Sequence, residues 1–225
     1  MITLRPSNTL GVLQTPTLES LRSFSNNSYY NPAFLGINEL AVINDDTQQA
    51  GGTVPMHQHA NLEIVSYHVI GSSRHVDTLG NDVVDTLGNV YLMSAGNGLA
   101  HSETNANNGP TRYLQIWFKP NQKNTIPTFV REQVTAEQKT NNFRLLASNT
   151  GPLVMKTDTA KLYAGIFNQD FTQPLDATKT YYLYVVNGSV AANGHTLQMR
   201  DAIKIDHETQ LNLTLANCEM LFFEL

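Results

Sequence analysis

Two short patterns in this chain combine residue types that bind metal ions. Met56-His57-Gln58-His59 sets two imidazoles one residue apart, and His101-Ser102-Glu103 sets an imidazole and a carboxylate at the same spacing. In an extended strand, successive side chains point to opposite faces. His57 and His59 would therefore share a face, about 6.6 Å apart along the chain, as would His101 and Glu103. Neutral imidazoles hold divalent cations at about 2.0–2.1 Å, and a carboxylate would complete a compact N₃O donor set. Either pattern alone is equally a pair of surface or packed residues, because metal binding is one use of histidine among several. Two such pairs in a chain of short strands are a far less accidental combination.

The elements that must position these residues read as strands. Residues 62–71, the stretch after Gly71-Ser72-Ser73, and residues 89–96, 111–119, 161–167, 180–194, 201–206, 210–217 and 219–225 are short runs. They are rich in β-branched and aromatic side chains, with Gly, Asn and Asp between them. Regular short strands point to an all-β barrel or sandwich and away from βαβ units. One helix is predicted over residues 135–148, with Thr135 as N-cap and Gln138 three residues on. It follows a Pro-, Asn- and Lys-containing linker, which places a domain boundary near residue 130. The expected organisation is two tandem β-barrels, 1–130 and 131–225, with a short helical linker. The pentapeptide Asp-Thr-Leu-Gly-Asn occurs at 77–81 and again at 85–89. Two copies do not propagate a solenoid, so they read as successive hairpin turns.

Composition removes several function classes. With 225 residues, 41% apolar and 15% charged, the chain can bury a sizeable core. A net charge of −5 without a basic cluster leaves no electrostatic footprint for nucleic acid. No run approaches the ~18 apolar residues of a membrane span. The N-terminus lacks an apolar signal segment, and the one cysteine, Cys218, forms no internal disulfide. Cys218 beside an apolar strand reads as a small buried hydrophobe. A soluble cytoplasmic protein, expected to be monomeric, is the reading.

Longer motifs carry more. Arg22-Ser23-Phe24-Ser25-Asn26-Asn27-Ser28-Tyr29-Tyr30-Asn31-Pro32, Leu40-Ala41-Val42-Ile43-Asn44-Asp45-Asp46, the run from Pro55 to Asn81, Met93 to Glu103 and Leu114 to Pro120 stand in the order and spacing of pirins. The chain resembles the short bacterial, quercetinase-like members of that family along essentially its whole length. The resemblance implies a bicupin, two cupin-type barrels with metal bound only in the first, and ligands at His57, His59, His101 and Glu103. His195 and His207 form no His-x-His arrangement, so the second barrel is expected to be metal-free. The chain departs from the family pattern at Leu87-Gly88-Asn89, Asn97 and Met155-Lys156-Thr157. The changes at Asn89 and Asn97 remove charge near the approach to the site.

A thiolate-free N/O set suits Fe(II), Mn(II), Co(II), Ni(II), Cu(II) or Zn(II), and the donors alone do not separate them. Resemblance puts Fe(II) first. The implied activity is quercetin 2,3-dioxygenation: O₂ cleaves the flavonol heterocycle and CO is released. Glu103, the only carboxylate among the expected ligands, is the candidate base for the flavonol hydroxyl. Gln115 is expected near the metal cavity, where its amide would bind substrate or simply pair with backbone. Glu63 and His75 are expected behind the ligands, His75 orienting one through its ring N–H. His68 is expected to be structural. The alternative function is a regulatory protein whose metal redox state controls a protein partner. A large apolar pocket over the metal would favour catalysis, and a closed site under a flat charged surface would favour regulation.

Overall fold

The computed structural model describes residues 1–225. Nearly every segment is strand, and the chain divides into two compact units. Gly11–Val134 and Asn149–Asp158 form one; Met1–Leu10, Thr135–Ser148 and Thr159–Leu225 form the other. A single cut near residue 130 does not describe this division. Ile2–Arg5 pairs antiparallel with Ala202–Asp206, so the chain starts as an edge strand of the C-terminal barrel. Asn149–Asp158 returns to the first unit, where the Lys156 N–H donates to Glu63 Oε2 at 3.3 Å and the Asp158 N–H to Glu39 Oε1 at 2.6 Å. Such pairings join residues distant in sequence, and composition shifts do not reveal them.

The first unit is made of two antiparallel sheets. The larger runs Thr128–Gln133, Asn89–Ser94, Glu63–Ile70, Thr111–Phe118, Leu40–Gln48, Leu18–Arg22 and Gly11–Gln14. The smaller runs Thr53–His59, Leu99–Asn105, Ser72–Asp77 and Asp82–Thr86. Ile64, Tyr91, Met93, Ala95 and Leu99 form a buried cluster that draws on both sheets. The first Asp-Thr-Leu-Gly-Asn copy closes the hairpin between Ser72–Asp77 and Asp82–Thr86. The second is a turn but not a hairpin: it carries the chain from the smaller sheet to Asn89–Ser94 in the larger one.

Alternation on Leu40–Gln48 sends Asp45 to the face opposite Asn44 and Asp46. There its carboxylate takes a bidentate pair from Arg112, Nε to Oδ1 at 2.8 Å and Nη2 to Oδ2 at 2.5 Å, with the side chains 0% and 6% exposed. Breaking a buried pair leaves an uncompensated charge, which costs about 3–5 kcal/mol. Arg112→Ala is accordingly expected to lower the urea unfolding midpoint by that equivalent; an unchanged midpoint would show that Asp45 is solvated by other means.

In the second unit, Ile2–Arg5, Ala202–Asp206, Thr180–Ala192, Gln210–Glu224, Lys161–Phe167 and Arg144–Ser148 follow one another in a continuous antiparallel sheet. Phe167, Leu183, Ile203, Met220 and their neighbours fill its core. The two runs expected at 210–217 and 219–225 are one strand, Gln210–Glu224, which bends at Leu215 (φ 52°) and keeps Cys218 buried. The helix is shorter than predicted, spanning only Ala136–Lys139. Its start was correctly placed, because Thr135 and Gln138 form a reciprocal capping box. It stops because Asn141 turns into the left-handed region (φ 52°) and the chain enters the Arg144–Ser148 strand, burying Leu146 and Ala147. No helix is long and apolar enough to cross a membrane.

Candidate metal centre

His57 and His59 lie on Thr53–His59, and His101 and Glu103 on the neighbouring Leu99–Asn105, with His101 directly opposite His57. The register slips between His101 and Glu103, because two residues, Pro55 and Met56, stand against Ser102 alone. Proline has no N–H to give to a ladder, so this bulge is where the strand accommodates it. The Pro55 carbonyl then accepts from His57 Nδ1 at 2.9 Å. A carbonyl only accepts, so Nδ1 carries the proton and Nε2 is left as the lone-pair nitrogen. On the approach to His101, Gly96 adopts φ +49°, and a Cβ there would stand 2.1 Å from the Thr125 carbonyl oxygen. Only glycine fits that turn, and the tight approach lets the Asn97 N–H reach the same carbonyl at 2.8 Å.

The three imidazoles converge. Ring centroids lie 4.5 Å apart for His57–His101, 4.8 Å for His57–His59 and 5.1 Å for His59–His101. Their ligand atoms fall within 4.8 Å of one another. His59 Nε2 and both nitrogens of His101 are buried without a hydrogen-bond partner. Burial, reinforced by the neighbouring imidazoles, lowers His59 to about 4 and His101 to about 2, so both rings are neutral at physiological pH. Buried, neutral and unpartnered nitrogens aimed at one point are what a divalent cation needs.

Glu103 joins through His101. Its carboxylate, with His101 and His75, makes a second group of ligand atoms within 4.8 Å of one another. Tyr91 Oη donates to Oε1 at 2.7 Å and Gln115 Nε2 donates to Oε2, so the carboxylate is held from the larger sheet by both oxygens. Burial dominates over these bonds and raises Glu103 to about 7. His75 orients no ligand by a direct bond: its Nε2 pairs with Asp77 Oδ2 at 3.1 Å, and its ring stacks on Phe129 at 4.6 Å. Glu63 stands outside both groups, accepting from Ser94 Oγ at 2.6 Å and from the Lys156 amide. His68 is buried against Tyr113. Tyr91 was not picked out from sequence, where it is one aromatic in an apolar strand.

A cavity of about 350 Å³ reaches this cluster. His57, His59, Glu103, Gln115 and Trp117 are among the residues that line it. Leu13, Leu18, Val54 and Trp117 give it a lining more apolar than polar, with Arg22, Asn44 and Asp46 as its polar part.

Antiparallel barrels of this kind, with a His-x-His strand beside a His-x-Glu strand in the first, define a bicupin. The Pirin family model matches residues 4–118 and the quercetinase C-terminal cupin domain model matches 145–225. A quercetin 2,3-dioxygenase of Escherichia coli O157:H7 is 31% identical over 229 residues, covering 100% of this chain and 99% of that protein. YhhW from Escherichia coli superposes with a TM-score of 0.93 at 31% identity, covering 100% of this chain and 97% of that one. The structure of bacterial pirin YhhW in complex with nickel(II) superposes at 0.92 and 30% identity, covering 100% and 99%. The chain belongs to the pirin family.

Proposed function

We propose that this protein is a metal-dependent dioxygenase of the quercetin 2,3-dioxygenase type, cleaving the flavonol heterocycle with O₂ and releasing CO. The observation that carries the reading is the set of buried, unpartnered His59 and His101 nitrogens converging with His57, in a cluster of which His57, His59 and Glu103 line an open cavity. His57, His59, His101 and Glu103 would hold one divalent cation, and a donor set free of sulfur suits it. Fe(II) is the first choice, with Ni, Cu, Co, Mn and Zn compatible; the relative's nickel(II) complex supports an N/O site of this type. The cation supplies Lewis acidity and access to O₂ chemistry when bound.

The chain's own residues do the rest. The Pro55 carbonyl fixes the His57 tautomer. Tyr91 and Gln115 hold the Glu103 carboxylate in place. Glu103 lines the cavity and would take the flavonol hydroxyl proton. Trp117, half-buried and edge-on to His59 at 5.0 Å, offers a planar apolar surface to a ring system. A volume of about 350 Å³ falls within the ~300–1,000 Å³ usual for small-molecule sites. That openness favours catalysis over the alternative of a metal-redox regulator of a protein partner. The same reading takes the protein as cytoplasmic, with its metal in the Gly11–Val134 barrel and none in the C-terminal one.

Metal-loaded protein incubated with quercetin under air is expected to consume O₂ and release CO, read by oxygen electrode and headspace gas analysis. Neither gas changing with any of the six metals would end the dioxygenase reading.

A further inference from the structure

The polar wall of the cavity is built by register. Arg22 pairs across to Asn44, and Asn44 to Gln115, so three neighbouring strands present one row of side chains. Two residues along, Ser20 pairs across to Asp46. Arg22, Asn44 and Asp46 are 4%, 6% and 6% exposed, yet all three line the cavity. Arg22 is anchored by Nη1, which donates to the Asn26 carbonyl at 2.7 Å and to Ser28 Oγ at 3.3 Å. Ser20 hydrogen-bonds the Asp46 carboxylate. That leaves three buried atoms without a partner: Arg22 Nε, Asn44 Oδ1 and Asp46 Oδ1. Buried polar groups are normally satisfied, and a cluster of unsatisfied ones on a cavity wall calls for a ligand.

The chemistry of the vacant bonds selects that ligand. Two acceptors repel an anion and leave an apolar ring end unrewarded. A phenolic hydroxyl donates one hydrogen bond and accepts others. A vicinal pair of them would donate twice, to Asp46 and Asn44, and accept from Arg22 Nε–H. Leu13, Leu18 and Val54 line the same cavity as Trp117 and supply the apolar flanks an aromatic ring needs. Gln115 ties this wall to Glu103, so a ligand gripped here extends toward the metal cluster.

We propose that Asp46, Asn44 and Arg22 form a subsite for a catechol ring, selecting substrates that carry two adjacent phenolic hydroxyls at the end remote from the reacting ring. The remote placement rests on the flavonol reading of the metal centre, whereas the catechol preference does not.

Trp117 is the only tryptophan in the chain, so its emission reports occupancy of this cavity. Chelator-treated wild type, Asp46→Asn and Asn44→Ala are titrated with 4-methylcatechol and with 4-methylphenol. Wild type is expected to bind the catechol at least tenfold more tightly than the phenol, and each variant to lose most of that ratio. In Asp46→Asn, Ser20 satisfies the amide oxygen and turns an NH₂ donor toward the ring. On metal-loaded protein, the KM ratio between galangin, which lacks the catechol, and quercetin should collapse in the same variants. Equal binding of the two probes by wild type, or variants that titrate like wild type, would overturn the subsite even if quercetin is turned over. A catechol preference lost in the variants, without gas exchange on any flavonol, would keep the subsite and remove the dioxygenase reading. If Asp46→Asn fails to fold, the wild-type ratio and Asn44→Ala decide.

Discussion

His101→Ala is expected to take the protein from about one equivalent of bound metal to none detectable by elemental analysis. His101 stands between the other donors: its ring lies 4.5 Å from His57 and 5.1 Å from His59, and it belongs to both groups of ligand atoms. Both of its nitrogens are buried and unpartnered, so its imidazole has no structural hydrogen bond to lose. Losing even a residue that supports a ligand costs about 10–100-fold in metal affinity, and losing the central ligand should exceed that. Glu63→Gln is the contrasting case. Glu63 is as deeply buried as His101 but bonds Ser94 and the Lys156 amide, so metal content should survive its replacement. Stoichiometric metal in His101→Ala would refute the proposed donor set.

Glu103→Gln should reduce turnover by about 10²-fold or more while retaining most of the metal, the loss expected for a missing general base. The amide keeps an oxygen for Tyr91 but turns an NH₂ toward Gln115 Nε2, which also donates. Gln115 cannot simply flip, because its Oε1 accepts from Trp117 Nε1 at 3.3 Å. Equal losses of metal and turnover would reduce Glu103 to a ligand. The same variant has a signature in the chelator-treated protein. Burial raises the Glu103 carboxyl from its ordinary 4.5 to about 7. The folded state therefore binds this proton more tightly than the unfolded state. The stabilisation is complete below about pH 4.5 and is lost as pH rises through 7. Asp46, raised from 3.8 to about 7 mainly by burial, acts in the same sense. His59, His101 and His68, lowered by burial, act in the opposite sense over the same range, so the difference between wild type and variant is the readout. Wild-type stability minus that of Glu103→Gln should fall by about 2 kcal/mol between pH 5 and 7.5 in urea titrations.

The clustering of the proposed donor residues was legible in sequence because strand geometry has a period of two, so His-x-His and His-x-Glu each announce a shared face. The strand at Lys161–Phe167 was read to the residue for a similar reason, as an isolated apolar run with breakers on both sides. What escaped was set by pairing. Nothing local says that Ile2–Arg5 belongs with Ala202–Asp206, or that Cys218 lies inside one continuous strand rather than between two. The helix illustrates the limit: its capping box is a local signal and was found, while its end depends on Arg144–Ser148 finding Lys161–Phe167. The catechol wall was hidden in the same way. Arg22, Asn44 and Asp46 sit at alternate positions of strands whose other face also carries charge, such as Asp45. Only the register shows which face is inward.

Thr53–His59 is the outermost strand of its sheet, laddered on one side only, and it carries two of the proposed ligands. Such a border offers free amide groups to any passing extended chain, including another copy of this protein. The bulge at Pro55 and Met56 throws the groups along this border out of step. The irregularity beside His57 therefore also discourages sheet-to-sheet self-association along the strand that lines the cavity with Val54, His57 and His59.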